Sequence, residues 1–511
     1  MLKLSEYMDI INDIEAKFPV DQWVISNVHV WPLIRANLVS QMNSFLNKNL
    51  AYRASPWLTV LRNIRRSFDI ASSFAKYLHE FISNRRHNDK IAGRDIDALF
   101  LTNSLDRVLI DGYFYDKLAD PLIERFDEQG FKSLVLERTC REQHYVPRHK
   151  PPVYIQPYLD YLLLKNKMFL SNKSVGDFRL NCFDDFDRYL KSLNLGLTVP
   201  DIRSVQKEVV LIRATASFFK RIITQTGPAV GLSTQYYGRS GMAMNLACRE
   251  TGIMSVDIQH GIESDLHWAY GRWTRVPEKG YELLPTVFLC WSDNEAKVVK
   301  KWSKKVEKYH RPVVVGNLWL KKWLDDGDYI VSAFDSKISR MKQKHGKSIH
   351  ILFTMQDETI PTLILDAIKK SSDLCFWWIR CHPAHAEERS NIHKILSSRG
   401  YGNVVVEKAS TWPLYALLRH VDIHITSWST TVIEAAVFNV PSIIIHEFGA
   451  ELYAEQIKEG MVTCAYDSQE LVDTIMTMAS NKPMKLKRKH DESTSEENIQ
   501  MLFDQFKHAR N

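Results

Sequence analysis

The 511-residue chain is poor in cysteine, with seven residues, and no two of them form a C-x-x-C pair. Scattered thiols in odd number argue against a disulfide framework or a cysteine-based zinc module, and they predict a reducing compartment. Long hydrophobic runs are missing as well. No stretch approaches the roughly 18–20 apolar residues of a membrane span, and the opening Met1-Leu-Lys-Leu-Ser-Glu-Tyr-Met-Asp carries charges where a signal peptide has an apolar core. A cytoplasmic protein is therefore expected. The chain also lacks G-x-x-x-x-G-K-[ST], G-x-G-x-x-G and G-x-S-x-G, which argues against P-loop ATPases, dinucleotide dehydrogenases and serine hydrolases.

What is present is ordinary globular material, 45% hydrophobic and 25% charged, long enough for at least two domains. Thirteen Trp and 23 Phe suit both deep cores and stacking faces for sugars or bases. The net charge of +7 is modest; no nucleic-acid partner is expected from it, whereas phosphorylated ligands or an anionic membrane would suit it.

Residues 1–90 read as a helical N-terminal region, with apolar positions three and four apart and no strand alternation. Within it, 57–86 interleaves Trp57, Leu61, Phe68, Phe74 and Phe81 with Arg62, Arg65, Arg66, Lys76 and Arg85. Such a stripe most commonly packs on the body with its basic face in water. Its other use is peripheral contact with an anionic membrane, here on the inner face of the cytoplasmic membrane.

From residue 91 the rhythm becomes strand–helix–strand. Strands are expected at 97–102, 133–137, 228–233, 254–258, 287–291 and 312–316, with helices at 113–129 and 239–251; 140–225 reads as long helices. This gives an N-terminal Rossmann-like acceptor domain over 91–320. A polar connector, 321–347, leads into a second unit over 321–485. Its strands are expected at 348–354, 375–381, 403–407, 422–426 and 442–446, and its helices at 360–372, 386–399, 412–420 and 429–438. Residues 486–511 form a C-terminal helix that could cross back. The fold class is α/β, with two Rossmann-like domains facing across a cleft.

Ligands of open parallel sheets bind beyond the carboxyl ends of the strands. Five such tips carry polar residues. After 422–425 come Thr426-Ser427-Trp428-Ser429-Thr430-Thr431 and then Glu434. Small hydroxyls at a helix start leave amides for an anion, and the plainer role is an N-cap. Arg380-Cys381-His382-Pro383 ends another strand, with proline holding His382 extended; Arg380 would add charge for a phosphate. Gln259-His260-Gly261 closes a strand of the first domain, with His260 placed to meet a phosphate or accept a proton. Thr354-Met355-Gln356 tips the first strand of the second domain. Asp106 and Asp111 follow the first strand of the chain and are the candidate general bases; surface aspartates at a helix start are the plainer reading. Asp184-Asp185-Phe186-Asp187 and Asp325-Asp326-Gly327-Asp328 read as solvated acidic turns, not metal ligands.

At His382-Pro383 and Thr426–Thr431 the chain resembles bacterial GT-B glycosyltransferases of capsule and lipopolysaccharide assembly, of the sialyltransferase-like or Kdo-transferase-like kind. The resemblance implies that His382, Ser429 and Thr430 contact a CMP-sugar. Ser427, Thr431 and Glu434 lie in a segment equally similar to UDP-sugar GT-B enzymes, in which a Glu at the place of Glu434 supports the nucleotide. The base motif departs from the sialyltransferase pattern, since only Ile110-Asp111-Gly112 is present. The resemblance implies a metal-independent transferase with no cofactor beyond its nucleotide-sugar donor, CMP-sugar favoured, and a surface glycan or glycolipid acceptor. The alternatives are a UDP-sugar transferase, a nucleotide-sugar epimerase or a non-catalytic scaffold of envelope assembly.

Overall fold

The computed structural model describes residues 4–48, 91, 93–138, 147–170, 180–261, 263–382, 385, 388–480 and 492–510. The basic stripe at 57–86 lies outside them. Two parallel sheets organise the chain. The N lobe holds β3 (Ala98–Asn103), β6 (Ser133–Arg138), β7 (Val153–Tyr154), β8 (Val230–Thr234), β9 (Met254–Ile258), β10 (Val287–Cys290) and β11 (Arg311–Val314). Their spatial order is β7-β6-β3-β8-β9-β10-β11. All six residues of β3 and all five of β8 are buried, as expected of central strands covered by helices on both faces.

The C lobe holds β12 (Ile349–Thr354), β13 (Cys375–Arg380), β14 (Val404–Val405), β15 (Ile423–Thr426), β16 (Ser442–Ile444) and β17 (Val462–Cys464), ordered β14-β13-β12-β15-β16-β17. Counted within each lobe, both sheets run 3-2-1-4-5-6, with one further strand in the N lobe. That is the doubly wound Rossmann order, in which the chain reverses direction between the first and fourth strands. The expected α/β architecture, two Rossmann-like lobes face to face in the GT-B-like manner, is the one observed.

Three local expectations need correction. The N-terminal region is not wholly helical: between the helices Leu4–Lys17 and Trp31–Lys48 lies a hairpin of β1 (Val24–Ile25) and β2 (Val28–His29). Its turn residues Ser26 and Asn27 are left-handed, which polar turn residues tolerate. This region is part of the lobe. Glu15 and Arg35 pair at 2.5 Å with no side-chain exposure, and Arg35 Nη2 also donates to the Gly271 carbonyl.

Second, the helix expected at 113–129 begins only at Asp120. Before it runs an antiparallel hairpin of β4 (Arg107–Ile110) and β5 (Tyr113–Asp116). Asp111 and Gly112 both take positive φ, the two-residue loop that Asp-Gly favours. Third, the polar connector is two helices, Leu318–Leu324 and Tyr329–His345, whose Trp323, Val331, Phe334 and Ile338 are buried with Phe376 and Trp378 of the C sheet. Asp328 is the N-cap of the second helix, accepting the Ile330 and Val331 amides. Asp184, Asp185 and Asp187 likewise sit on a helix, Phe183–Ser192, where Asp187 pairs with Lys191 at 2.6 Å.

The chain ends on the N lobe. Along the helix Glu492–Arg510, Phe503 meets Phe126 edge-on, Phe506 stacks on Phe126, and Glu496 pairs with Arg125 at 2.5 Å. The lobes also meet directly. Tyr115 of β5 stacks on Trp319 at 5.3 Å, Asn317 Nδ2 donates to the Tyr415 hydroxyl, and Ser5 donates through both its amide and hydroxyl to Glu451.

Candidate functional site between the lobes

The carboxyl ends of β3, β8 and β9 carry one wall of the site, and those of β12, β13 and β15 carry the other. The two walls touch where the loop after β9 meets the loop after β15: a β-carbon on Gly261 would fall 3.6 Å from Thr430 Cγ2.

On the N wall, Asp106 closes the turn Ser104–Asp106, which Asn103 caps by accepting the Leu105 amide. Burial lifts the Asp106 carboxyl to about 6; Lys117 pulls it down and Asp116 pushes it up. Asp111 is elsewhere, at the exposed turn of the β4–β5 hairpin. Of the two candidate bases, only Asp106 lies in the turn at the carboxyl end of β3. His260 shares a 3.0 Å hydrogen bond with the Tyr237 hydroxyl through Nε2, and its Nδ1 is buried with no partner among the described residues. Burial, with His267, Arg138 and Lys117 adding, drives its pKa down to about 3, so it is a neutral imidazole near pH 7. A cation at His260 is therefore not available to a phosphate. Gln259 is buried in shaping the loop: its amide donates to the Gly261 carbonyl and accepts from the Trp291 amide.

On the C wall, the hydroxyl-rich loop is tightly self-bonded. Ser429 and Thr431 share a hydrogen bond of 2.9 Å, Ser429 Oγ caps the Thr431 amide, and the Ser429 amide donates to Thr426 Oγ1. Tyr453 adds a bond to the Ser429 carbonyl. Ser427 is buried, and Thr430 and Trp428 keep partial exposure. Trp428 meets His446 and Phe448 edge-on, giving an aromatic corner beside the loop. Ser429 thus covers the Thr431 amide, whereas Thr430, the residue before the helix, makes no side-chain cap and sets its methyl at the seam.

Glu434, one turn into the helix Thr431–Val437, accepts from Tyr415 at 2.5 Å. Burial raises its pKa against the pull of the Tyr415 bond, Lys117 and Arg380. Arg380 Nη1 donates to the carbonyls of Ala409 and Trp412, at 2.6 and 2.7 Å, so much of the expected phosphate cation is committed to holding the chain. His382 is half-buried; burial first, then His385, Lys117 and Arg380, lower it to about 4. Pro383 lies outside the described residues. Thr354 turns into the sheet, sharing a bond of 2.8 Å with His424 and offering its carbonyl to Thr426 Oγ1, while Gln356 stays half-exposed.

Sequence reasoning missed Lys117, just beyond the unforeseen hairpin. Its charge acts on Asp106 and His260 of one wall and on His382 and Glu434 of the other. Tyr237 and Arg138 were missed too; the signal for Tyr237 was its place in the loop that follows the apolar run 228–233. Arg138 Nη2 donates to the Thr234 carbonyl at the same sheet edge.

No family model matches the chain, and no curated protein matches it. Solved structures of similar architecture include a UDP-GlcNAc 2-epimerase from Neisseria meningitidis bound to UDP-GlcNAc, 14% identical, covering 80% of this chain and 100% of that one at a TM-score of 0.46. The UDP-GlcNAc 2-epimerase of Methanocaldococcus jannaschii, with UDP-GlcNAc and UDP, is 11% identical over 80% of this chain and 100% of that one, TM-score 0.45. A ugt transferase from Siraitia grosvenorii in complex with UDP is 8% identical over 80% and 100%, TM-score 0.43.

Proposed function

We propose that the protein is a glycosyltransferase that binds a nucleotide-activated sugar between its lobes, with the nucleotide on the C wall and the acceptor on the N wall. The observation that supports this reading is the meeting of the loop after β9 with the loop after β15, Gly261 against Thr430, at the carboxyl ends of two doubly wound sheets. Ligands of such sheets bind at the reversal point of strand order, here between β3 and β8 and between β12 and β15. We place a UDP-sugar ahead of the CMP-sugar. Glu434, the residue that the UDP-sugar resemblance marks, sits one turn into the helix after β15 and accepts the Tyr415 hydroxyl on Oε1. Of the two hydroxyls that the CMP-sugar resemblance would use, Ser429 is bonded to Thr431, and Thr430 is half-exposed beside the seam.

In this reading Asp106 takes the proton of an acceptor hydroxyl as that oxygen attacks the anomeric carbon, and the sugar–phosphate bond breaks with its electrons on the phosphate. Neutral imidazoles at His260 and His382 can donate hydrogen bonds to oxygens in the gap. The proposed acceptor is the surface glycan or glycolipid precursor of the sequence resemblance, and peripheral contact with an anionic membrane belongs to the same proposal. The test incubates the purified chain with UDP- and CMP-sugars, with and without glycan acceptors, in deuterated water, followed by mass spectrometry. Acceptor-dependent sugar transfer from a UDP-sugar is the expected result. Deuterium entering the donor sugar without acceptor would favour epimerisation, which must break a carbon–hydrogen bond. Neither transfer nor exchange with any donor would overturn an enzymatic role.

A further inference from the structure

The turn from β8 into the helix Arg239–Thr251 leaves its first amides without a side-chain cap, because the N-cap residue is Gly238. A guanidinium stands where that side chain would be: a β-carbon on Gly238 would fall 3.2 Å from Arg138 Nη1. Arg138 ends β6, and its Nη2 donates to the Thr234 carbonyl at 3.2 Å, which fixes the group at the end of β8. A cation at the N-terminus of a 13-residue helix is repelled by the helix dipole. An anion bound between them turns the repulsion into two attractions.

A buried hydroxyl points to the same place. Ser233 is 1% exposed, and its Oγ has no hydrogen-bond partner among the described residues. Side chains alternate along a strand, so Ser233 shares a face with Gly231, whose β-carbon would run into Cys248 Sγ and Met244 Sδ of the helix. Two residues further along β8 cover about 6.6 Å, the rise of about four helical residues. That step moves the contact from Met244 back to the first turn, so Ser233 lies beneath the helix start. The acids of this corner are committed elsewhere. Asp257, beside Ser233 on β9, accepts the Tyr236 amide and the Tyr270 hydroxyl. Glu137 points to the other face of β6 and pairs with Arg107 and Arg148, while Glu208 accepts from Arg239 Nε and Nη2. Gly238 and Ser240 keep partial exposure, which leaves the helix start open to a ligand.

We propose that Arg138 and the first amides of this helix form an anion subsite of the N lobe, and that its ligand is a phosphate group carried by the acceptor. A forked guanidinium, main-chain amides and the Ser233 hydroxyl offer donors to several phosphate oxygens at once. The proposal rests on the glycosyltransferase reading, in which the N wall holds the acceptor, and it narrows that acceptor to a phosphorylated one.

Calorimetric titration of the full chain with inorganic phosphate tests it, with UDP present in excess to fill the donor side. Wild type should bind phosphate. Arg138→Met should weaken it by at least about 10-fold, and Arg138→Lys should recover part of the loss. Gly238 has an extended backbone, φ −81° and ψ 158°, that any residue adopts, so an aspartate there can cap the amides and meet Arg138 in the ligand's place. Gly238→Asp should therefore raise the melting temperature and abolish phosphate binding, with UDP affinity within about 2-fold of wild type. Wild type that binds no phosphate, or phosphate affinity unchanged by both Arg138→Met and Gly238→Asp, would overturn the subsite while leaving the nucleotide reading intact. A loss of UDP affinity in Arg138→Met as large as the loss for phosphate would give the cation to the donor and overturn the acceptor assignment. Wild type that binds phosphate through Arg138 but no UDP would remove the nucleotide reading and the acceptor role, and would leave the anion subsite standing.

Discussion

Gly261 and Thr430 meet across the interlobe seam, with room for one methyl group between them: a β-carbon at residue 261 would sit 3.6 Å from Thr430 Cγ2. That distance is ordinary van der Waals contact, and Gly261 has no left-handed backbone to protect. Gly261→Ala should therefore leave thermal stability within about 0.5 kcal/mol of wild type. Gly261→Phe, by contrast, would fill the seam itself. It should keep the melting temperature near wild type while abolishing UDP binding in a calorimetric titration. A Phe variant that binds normally would show that the nucleotide does not use this gap.

Gly449 is the opposite case. Any β-carbon there would fall 1.9 Å from the Ser427 carbonyl oxygen and 2.8 Å from Ile444 Cγ2. The helix Glu447–Leu452 thus lies directly on the backbone of the hydroxyl-rich loop. Gly449→Ala must push that loop away, at a cost of about 1–3 kcal/mol. Differential scanning calorimetry should register the loss. Donor affinity should fall further than in a surface Gly→Ala control such as Gly402, where a β-carbon meets nothing within 4 Å.

The elements legible in the sequence are those whose physics is local. A strand buried on both faces announces itself as an apolar run, so 97–102, 254–258, 348–354 and 422–426 could be read, and so could the polar tips after them. The helix at 239–251 was legible because Gly238 and Gly252 bracket it. The β4–β5 hairpin was lost although Ile110-Asp111-Gly112-Tyr113 is a hairpin signature; read as a catalytic base, Asp111 hides the dihedral preference that makes it a turn residue. Lys117 was illegible for a different reason. A lysine among Asp116, Leu118 and Asp120 looks like surface, and the hairpin that half-buries it was not foreseen. The connector failed because the charged outer faces of its helices outnumber the buried Trp323, Val331 and Phe334.

His424 gives a pH test of the C-lobe core. It is fully buried between β12 and β16, bonded to Thr354 Oγ1 at 2.8 Å and to Ser442 Oγ at 2.9 Å. Burial lowers its pKa to about 3, against an ordinary 6.5 in the unfolded chain. A base whose folded pKa is depressed contributes stability that is complete above 6.5 and disappears as the pH falls toward 3. His424→Leu removes that titration and leaves two hydroxyls unpaired. Urea melts should show the variant less stable than wild type at pH 7. The difference should shrink by about 1.4 kcal/mol per pH unit between pH 6 and 4. A difference that stays constant with pH would mean that His424 is already protonated in the folded protein.

Asp106 should show the reverse sign, and it ties stability to chemistry. Its folded pKa of about 6 lies above the ordinary carboxylate value, so the folded state favours the protonated form. Stability is then greatest below pH 4 with respect to this group and declines as the pH rises from 4 to 6, where the buried carboxyl is forced to ionise. If it is the proposed general base, it works only when ionised, so kcat/KM of the proposed transfer should climb with pH through about 6 and level off above it. Asp106→Asn separates the two effects. It should be more stable than wild type at pH 8 by about 1–3 kcal/mol, the gap closing toward pH 4. The same variant should lose at least about 100-fold in kcat, and the acid limb of the pH profile should vanish with it. A variant that gains stability yet keeps the limb would place the proton acceptor on another residue, whereas loss of activity without the stability gain would mean that Asp106 ionises without penalty in the folded protein.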